Sequence, residues 1–395
     1  MLRFRTEFAP EHDAEFFAAI PAKAAVFLLR GQAGTEPYVS KTANLRRRLI
    51  RLLGAEGEST RRLHLRDRVR TLEYSPTGSD FESQLGLYKV LREAFPKNYV
   101  DRMRLRFAPL VHLHLENRYP RASVTVKLGR NLAEYYGPFP SRVAAEKFAN
   151  DALDFFKMRR CIDELNPDPK FPGCVYSEMK MCLAPCFQGC TDHEYAAEVM
   201  RVQEFFDTAG QSLRRELEHA REKASEDLDF ETAAALHARI EKLKPVLAQL
   251  PEIATRLDRM KGLMIQPSSD VDSVMLFLIE AGRISEPIPF LVNQPADAGK
   301  MHSMEARLQE ALAVPTFGKS TVLETMEQLA ILKRWFYRTS KTGEVFFADQ
   351  NGDLPWRRIV RGLSRVFRGE KAAPDLSESA KDYWIFRHKE AGLEN

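Results

Sequence analysis

Long apolar runs are missing from this 395-residue chain: no stretch of about 18 uncharged apolar residues occurs, which argues against a membrane-spanning helix. No fixed-period repeat and no low-complexity tract is visible, so solenoid and collagen-like architectures are excluded. Charge of one sign is also scarce. The formal net charge is only +4, so any nucleic-acid surface must come from local distribution rather than from the total. The first residues, MLRFRTEFAPEHDAEFF, meet charge too early for a secretory signal. The expected compartment is therefore the cytoplasm, and no membrane partner is expected. What remains is 44% hydrophobic and 29% charged, an ordinary composition for chains that bury a core. At about 150 residues per domain the length implies two or three domains.

Cysteine is absent from 365 of the 395 residues. All five cysteines, Cys161, Cys174, Cys182, Cys186 and Cys190, fall within positions 161–190. In a reducing compartment such a cluster reads as a metal or iron–sulfur site rather than a disulfide framework. Spacing alone leaves zinc open.

Residues 15–100 read as a small α/β unit. Residues 23–30 (KAAVFLLR) form a strand, 38–40 a second hairpin arm, 44–53 (NLRRRLIRLL) a helix, 69–75 a third strand and 79–95 a second helix. Ser79 and Glu82 have capping-box spacing, and Pro96 closes that helix. In residues 101–195, strands at 111–115 and 122–128 precede a turn at 135–139, a helix at 141–156 and the cysteine cluster. Residues 196–250 read as a helical hairpin broken once, at Glu226–Asp229. There Asp229 is an N-cap, and Pro245 ends the second helix. Within 251–370, strands at 271–280 and 283–292 turn at Ala281-Gly282, and a helix spans 323–337. The segment 356–368 is basic. Residues 371–395 form a charged, frayed tail.

Basic residues concentrate between Lys41 and Arg70, which hold ten Lys/Arg against three Asp/Glu. Arg46, Arg47, Arg51, Arg61 and Arg62 are the candidate phosphate contacts, since arginine suits bidentate binding. A hairpin strand delivering the Tyr38 phenol beside a helix delivering the Arg48 guanidinium could activate a nucleophile and stabilise phosphate charge. His112 and His114, two apart on a strand, have no cysteine or carboxylate signature nearby and read as packed or solvated histidines. Trp335, Phe336, Tyr337 and Trp356 read as core.

Several of these segments resemble the UvrC family of nucleotide excision repair. Ala25-Val26-Phe27, then YVSKTANLRRRL from Tyr38, resembles its GIY-YIG nuclease domain. Tyr136-Gly137-Pro138-Phe139 resembles the turn that follows it. Cys174-x7-Cys182-x3-Cys186 with Cys161 upstream and Ala184-Pro185 resembles its cysteine cluster. Residues 224–234 (ASEDLDFETAA) resemble its UVR motif. The order is the family's own. The resemblance implies an N-terminal GIY-YIG-like α/β domain, a cysteine-cluster region, a UVR-like hairpin and an α/β C-terminal remnant. It also implies catalytic roles for Tyr38, Lys41 and Arg48, with Glu82 holding Mg or Mn if the nuclease works. It further implies an iron–sulfur cluster on Cys161, Cys174, Cys182 and Cys186. Damaged double-stranded DNA and UvrB, docked through residues 210–245, are the implied partners. The departures are Phe27 for a tyrosine, Ser40 for the YIG glycine, Leu52 for a frequent tyrosine and Leu87 at the metal glutamate. The family's second, RNase H-like active site is not recognisable; of the candidate histidines for it, His302 and His388 remain. Two readings stay open: a protein that incises one strand near a lesion, or a catalytically silent adaptor. A zinc-ribbon DNA-binding protein is a third.

Overall fold

The computed structural model describes residues 2–55, 65–162, 164–293, 303–313, 317–318 and 320–371. Arg61, Arg62, His302, His388 and nearly all of the tail called at 371–395 lie outside the described residues. Among the described residues the chain forms three small antiparallel sheets, each carrying helices, so the mixed α/β class expected from the sequence is what is found.

The first sheet joins β1 (Phe4–Glu7), β2 (Ala25–Arg30), β3 (Tyr38–Thr42) and β4 (Thr71–Pro76) in the order β1-β4-β2-β3. Strand β1 had no sequence signal. It is only four residues long and mostly exposed, and it is held by its pairing with β4. Helix α1 (Asp13–Ala19) and helix α2 (Leu45–Leu53) cover one face. Phe27, Leu29 and Leu72 meet Leu45, Leu49 and Leu52 there. Asn44 caps α2, its Oδ1 accepting from Arg47 N at 3.0 Å. Helix α3 (Asp80–Ala94) covers the other face, Val26 and Leu28 packing on Val90 and Leu87. Ser79 caps α3 through Glu82 N at 3.1 Å. The capping box is only half formed, because the Glu82 carboxylate takes the N–H of Gly78 instead of that of Ser79.

After α4 (Tyr99–Met103), the middle sheet has the order β6-β5-β7-β8, from β5 (Leu110–Leu113), β6 (Ala122–Thr125), β7 (Tyr135–Gly137) and β8 (Thr255–Arg256). The segment read as a turn at 135–139 is therefore strand β7 followed by a cis Gly137–Pro138 bond. The buried rings of Tyr135 and Tyr136 anchor it. Between β7 and β8 come α5 (Arg142–Leu153), the short α6 (Val175–Glu178) and α7 (Asp192–Asp207), then α8 (Gln211–Glu226) and α9 (Phe230–Leu247). The helical segment breaks twice, not once. The second break is at residues 208–210, where Ala209 and Gly210 both take positive φ. A Cβ on Gly210 would lie 2.1 Å from Leu247 Cδ2, so only glycine fits that turn. One core joins Val111 and Tyr136 of the sheet to Phe148, Val202, Phe205, Leu213 and Ile240 of the helices.

The third sheet is built on β9 (Lys261–Pro267), β10 (Ser273–Glu280), β11 (Arg283–Ile284), β12 (Ile288–Leu291) and β13 (Glu344–Phe347). Its order is β11-β10-β9-β13, with β12 pairing β10. Its central strand, β9, was not foreseen. It is a continuous buried run, Gly262–Gln266, without the period-two alternation that marks a half-exposed strand. Helices α10 (Met304–Ala311), α11 (Val322–Phe336) and α12 (Trp356–Phe367) flank it; α12 is the segment read only as basic. Phe81, Leu85 and Tyr88 of α3 pack into the same core as Phe277, Leu329 and Trp335, so the first unit is welded to the last. Among the described residues, no helix is long and apolar enough to cross a membrane.

Candidate functional site: a two-faced strand hairpin, a cysteine loop and an exposed helical hairpin

Strand register decides what the β2–β3 hairpin can present. Leu29 pairs with Tyr38 and Val26 with Lys41, and side chains of directly opposed residues share a face. Tyr38 thus stands on the α2 side, 6.0 Å from the Phe27 ring. Its hydroxyl accepts from Arg48 Nη2 at 2.7 Å. Lys41 stands on the α3 side and pairs with Asp80 at 2.5 Å, which also binds Arg338 at 2.5 Å. The structure brings Tyr38 and Arg48 together, and Lys41 and Asp80 together, on opposite faces of one sheet. Asp80 was not singled out in the sequence. Its signal is its place in the first helical turn, one residue past the Ser79 cap. Burial alone would raise its carboxyl, but hydrogen bonding and charge from Lys41, then charge and hydrogen bonding from Arg338, hold it below the usual range.

Glu82 is buried, and its Oε2 accepts from Gly78 N at 2.8 Å. Burial raises its pKa; the Gly78 hydrogen bond opposes that, as does the charge of Arg3. Leu87, one helical turn and a half on, packs in apolar surroundings.

On α2, Arg47 and Arg51 are exposed and one helical turn apart. Arg46 instead donates to the carbonyls of Ile20 at 2.7 Å and Ala18 at 3.1 Å, which ties α2 to the segment before β2.

The cysteines lie in a loop whose backbone bends at Lys180, Ala184 and Gln188, each at positive φ. All five are half-buried and none is in a disulfide. Desolvation pushes the Cys182 thiol up to about 11, with the Ala184 N–H opposing and the negative charges of Cys161, Cys186 and Cys174 adding to it. The charges of Cys161, Cys186 and Cys174 thus reach Cys182, but among the described residues no three of these sulfurs lie within 4.8 Å of one another. Ala184 N donates to Cys182 Sγ at 3.3 Å and Arg159 Nη1 to Cys161 Sγ at 3.4 Å. Cys190 packs against the apolar core of the middle unit, which accounts for it as a core thiol.

The α8–α9 hairpin leaves a bare apolar tip. Leu228 is 71% and Phe230 68% exposed. Leu228 holds positive φ at the turn, and Asp229 Oδ1 accepts from Thr232 N at 3.1 Å to start α9.

Residues 109–205 match the model of the UvrC/Cho excinuclease middle domain, and residues 211–244 match the UvrB/uvrC motif. Two successive segments are thus similar to a UvrC middle domain and to a UVR motif, in that order. It is 24% identical over 307 residues to the UvrABC system protein C of Methanothermobacter thermautotrophicus, covering 77% of this chain and 51% of that protein. Its identity to the Acetivibrio thermocellus protein of that name is 20% over 320 residues, or 80% and 51% of the two chains. For Rickettsia bellii the figures are 26% over 283 residues, 71% and 44%. The chain spans about half the length of the curated relatives it matches. No solved structure matches it. The cysteine loop lies inside the UvrC middle domain, and the bare tip at Leu228 and Phe230 is the turn of the UVR hairpin.

Proposed function

We propose that this chain is a UvrC-like protein of nucleotide excision repair, working in the cytoplasm. It binds damaged duplex DNA through its N-terminal GIY-YIG-like unit and docks UvrB through residues 210–245. The observation that carries this reading is the exposed Leu228–Phe230 tip on a hairpin that matches the UvrB/uvrC motif. Two helices alone cannot bury such a tip, and a second helical hairpin can. Arg47 and Arg51 supply phosphate contacts beside it in function, as sequence-independent positioning groups.

Within that role the geometry favours an adaptor over an incising enzyme. Lys41 is held by Asp80 on the face opposite Tyr38, Glu82 is turned inward onto Gly78 N, and Leu87 is apolar. Metal-dependent hydrolysis needs a carboxylate to hold Mg or Mn against the phosphate that the tyrosine faces. The second reading, incision of one strand, rests on the 2.7 Å contact of Arg48 with the Tyr38 hydroxyl, which is a fit arrangement for activating a nucleophile. A nicking assay on damaged duplex with UvrA and UvrB, with and without Mn²⁺, separates them. The adaptor reading expects UvrB binding and no nick. A nick abolished by Tyr38→Phe establishes the enzyme instead.

For the cysteine loop we propose an iron–sulfur cluster held by Cys161, Cys174, Cys182 and Cys186, with zinc as the other reading. The donor set suits it in kind: four cysteines in one loop, three of whose charges reach Cys182, with backbone N–H groups at Cys182 and Cys186 to stabilise thiolates. Such a centre would fix the loop between α5 and α7 in place. The absorption spectrum of anaerobically purified protein distinguishes iron from colourless zinc.

A further inference from the structure

We propose that His112, His114 and Glu116 form a second metal site, one for a borderline divalent cation of the zinc class, on the β5–β6 hairpin. Among the described residues this is the group whose histidine nitrogens and carboxylate oxygen all lie within 4.8 Å of one another. His112 lies on β5 and the strand ladder continues past it, His114 N donating to Arg121 O at 2.8 Å. Two residues apart on one strand, both side chains leave the same face, and their rings sit 3.9 Å apart.

Each ring is braced from behind through Nε2. That of His112 lies 3.2 Å from Glu134 Oε2, and that of His114 lies 2.8 Å from Ser123 Oγ. Glu134 is itself held by Asn131 at 2.8 Å, and the Tyr135 ring stacks flat on His112 at 4.2 Å. With Nε2 engaged, the neutral tautomer assigned from these partners turns the lone pair of Nδ1 outward. A carboxylate behind an imidazole is how ligating histidines are oriented, and it raises their basicity.

The front of the site can take a cation. His114 Nδ1 faces Glu116 Oε1 at 3.4 Å, and in the tautomer whose Nε2 donates to Ser123 both atoms offer lone pairs to a metal between them. Ligands at about 2.0–2.1 Å around tetrahedral zinc stand roughly 3.3 Å apart, so the group must tighten by at most about 1.5 Å. Glu116 is 58% exposed and already 3.4 Å from His114 Nδ1, and both rings are half-buried. Two imidazoles and one carboxylate suit zinc, nickel or cobalt; magnesium and calcium prefer oxygen. Three protein ligands leave the fourth position open to water.

The test uses the full chain and zinc chloride alone. After chelation and repurification, wild type is expected to retain one zinc more than His114→Gln by elemental analysis. Glu116→Gln, on an exposed turn, is expected to melt like wild type without zinc and to lose the rise in Tm that zinc gives wild type. Glu134→Gln is expected to weaken calorimetric zinc affinity by about 10–100-fold. A Cys174→Ser variant must keep this zinc. Equal zinc in wild type and His114→Gln, or loss in Cys174→Ser alone, overturns the proposal and leaves a proton bridging His114 and Glu116.

Discussion

Asp80 and Glu82 sit in one helical turn, yet their environments push their carboxyls in opposite directions. Asp80 is held low by two cations, so it adds stability that is complete above its unfolded value, about 4. That stability is lost as pH falls through the lower folded value. Glu82 is raised by burial, so the folded state binds its proton more tightly than the unfolded chain does. Its contribution turns unfavourable as pH climbs from the unfolded value, about 4, toward the raised folded one. Glu82→Gln keeps an acceptor for Gly78 N and removes the buried charge. The expectation is a higher Tm than wild type at pH 7 and a gain that shrinks toward pH 4, read by thermal melts across that range. Asp80→Asn is expected to lower Tm at pH 7 and to differ little from wild type below pH 3. A Glu82→Gln gain that grows on acidification would mean that the folded state holds the carboxylate below its unfolded value. At this scale the sequence showed residue types but not their faces. Tyr38 and Lys41 look like neighbours in YVSK, whereas strand parity sends them to opposite sides of the sheet. The reading of His112 and His114 as lacking a carboxylate failed similarly. Glu116 stood two residues past His114 in plain view, whereas Glu134 is 22 residues from His112 and meets it only through β5–β7 pairing.

Helices with an apolar stripe were legible, α3 and α9 with their caps Ser79 and Asp229; α2 was legible by its stripe alone, its Asn44 cap being read as the first helical residue. So was the Ala281-Gly282 turn, both residues taking positive φ between paired strands. What escaped was held by partners rather than by pattern. Strand β1 is fixed by β4, β7 by β5 and β8, and the fully buried β9 by neighbours on both sides. The UVR hairpin allows a prediction confined to one element. Phe230 is 68% exposed, so Phe230→Ala should leave Tm within about 1 °C, since surface changes stay within roughly 0.5 kcal/mol. Under the proposed docking, the same change should weaken binding to UvrB by at least tenfold, as removal of a central aromatic anchor typically does. Titration of UvrB's own hairpin by calorimetry reads this directly. Gly210→Ala is the contrasting case. Positive φ and the Leu247 clash should cost about 1 kcal/mol or more and lower Tm, with the UVR tip untouched.

Across the molecule, one buried carboxylate joins the first unit to the last. Glu327 on α11 is fully buried and accepts from the hydroxyls of Tyr88 on α3 and Tyr99 on α4, both at 2.6 Å. Burial first, then the Glu327 hydrogen bond and charge, raise both phenols, that of Tyr99 to about 12, so each stays a donor at any physiological pH. Beside them, Arg92 pairs with Glu324 across the same seam. The surrounding core mixes Phe81 and Leu85 with Phe277 and Trp335, so neither side has a complete apolar surface without the other. The third sheet and α11 are therefore a structural partner of the N-terminal unit, and the two should unfold together. Calorimetry of the full chain is expected to give one transition spanning both. Tyr99→Phe leaves Glu327 with Tyr88 and should cost about 1.5–3 kcal/mol, the range for a hydrogen bond to a charged group. Glu327→Ala strands two buried hydroxyls and opens a cavity, so it should cost more than either tyrosine change alone. If the seam is what couples the units, that variant splits the single transition into two. A lower but still single transition would mean that the apolar contacts of Phe81, Phe277 and Trp335 carry the coupling, with the carboxylate serving only to satisfy the tyrosines that α3 and α4 bury against it.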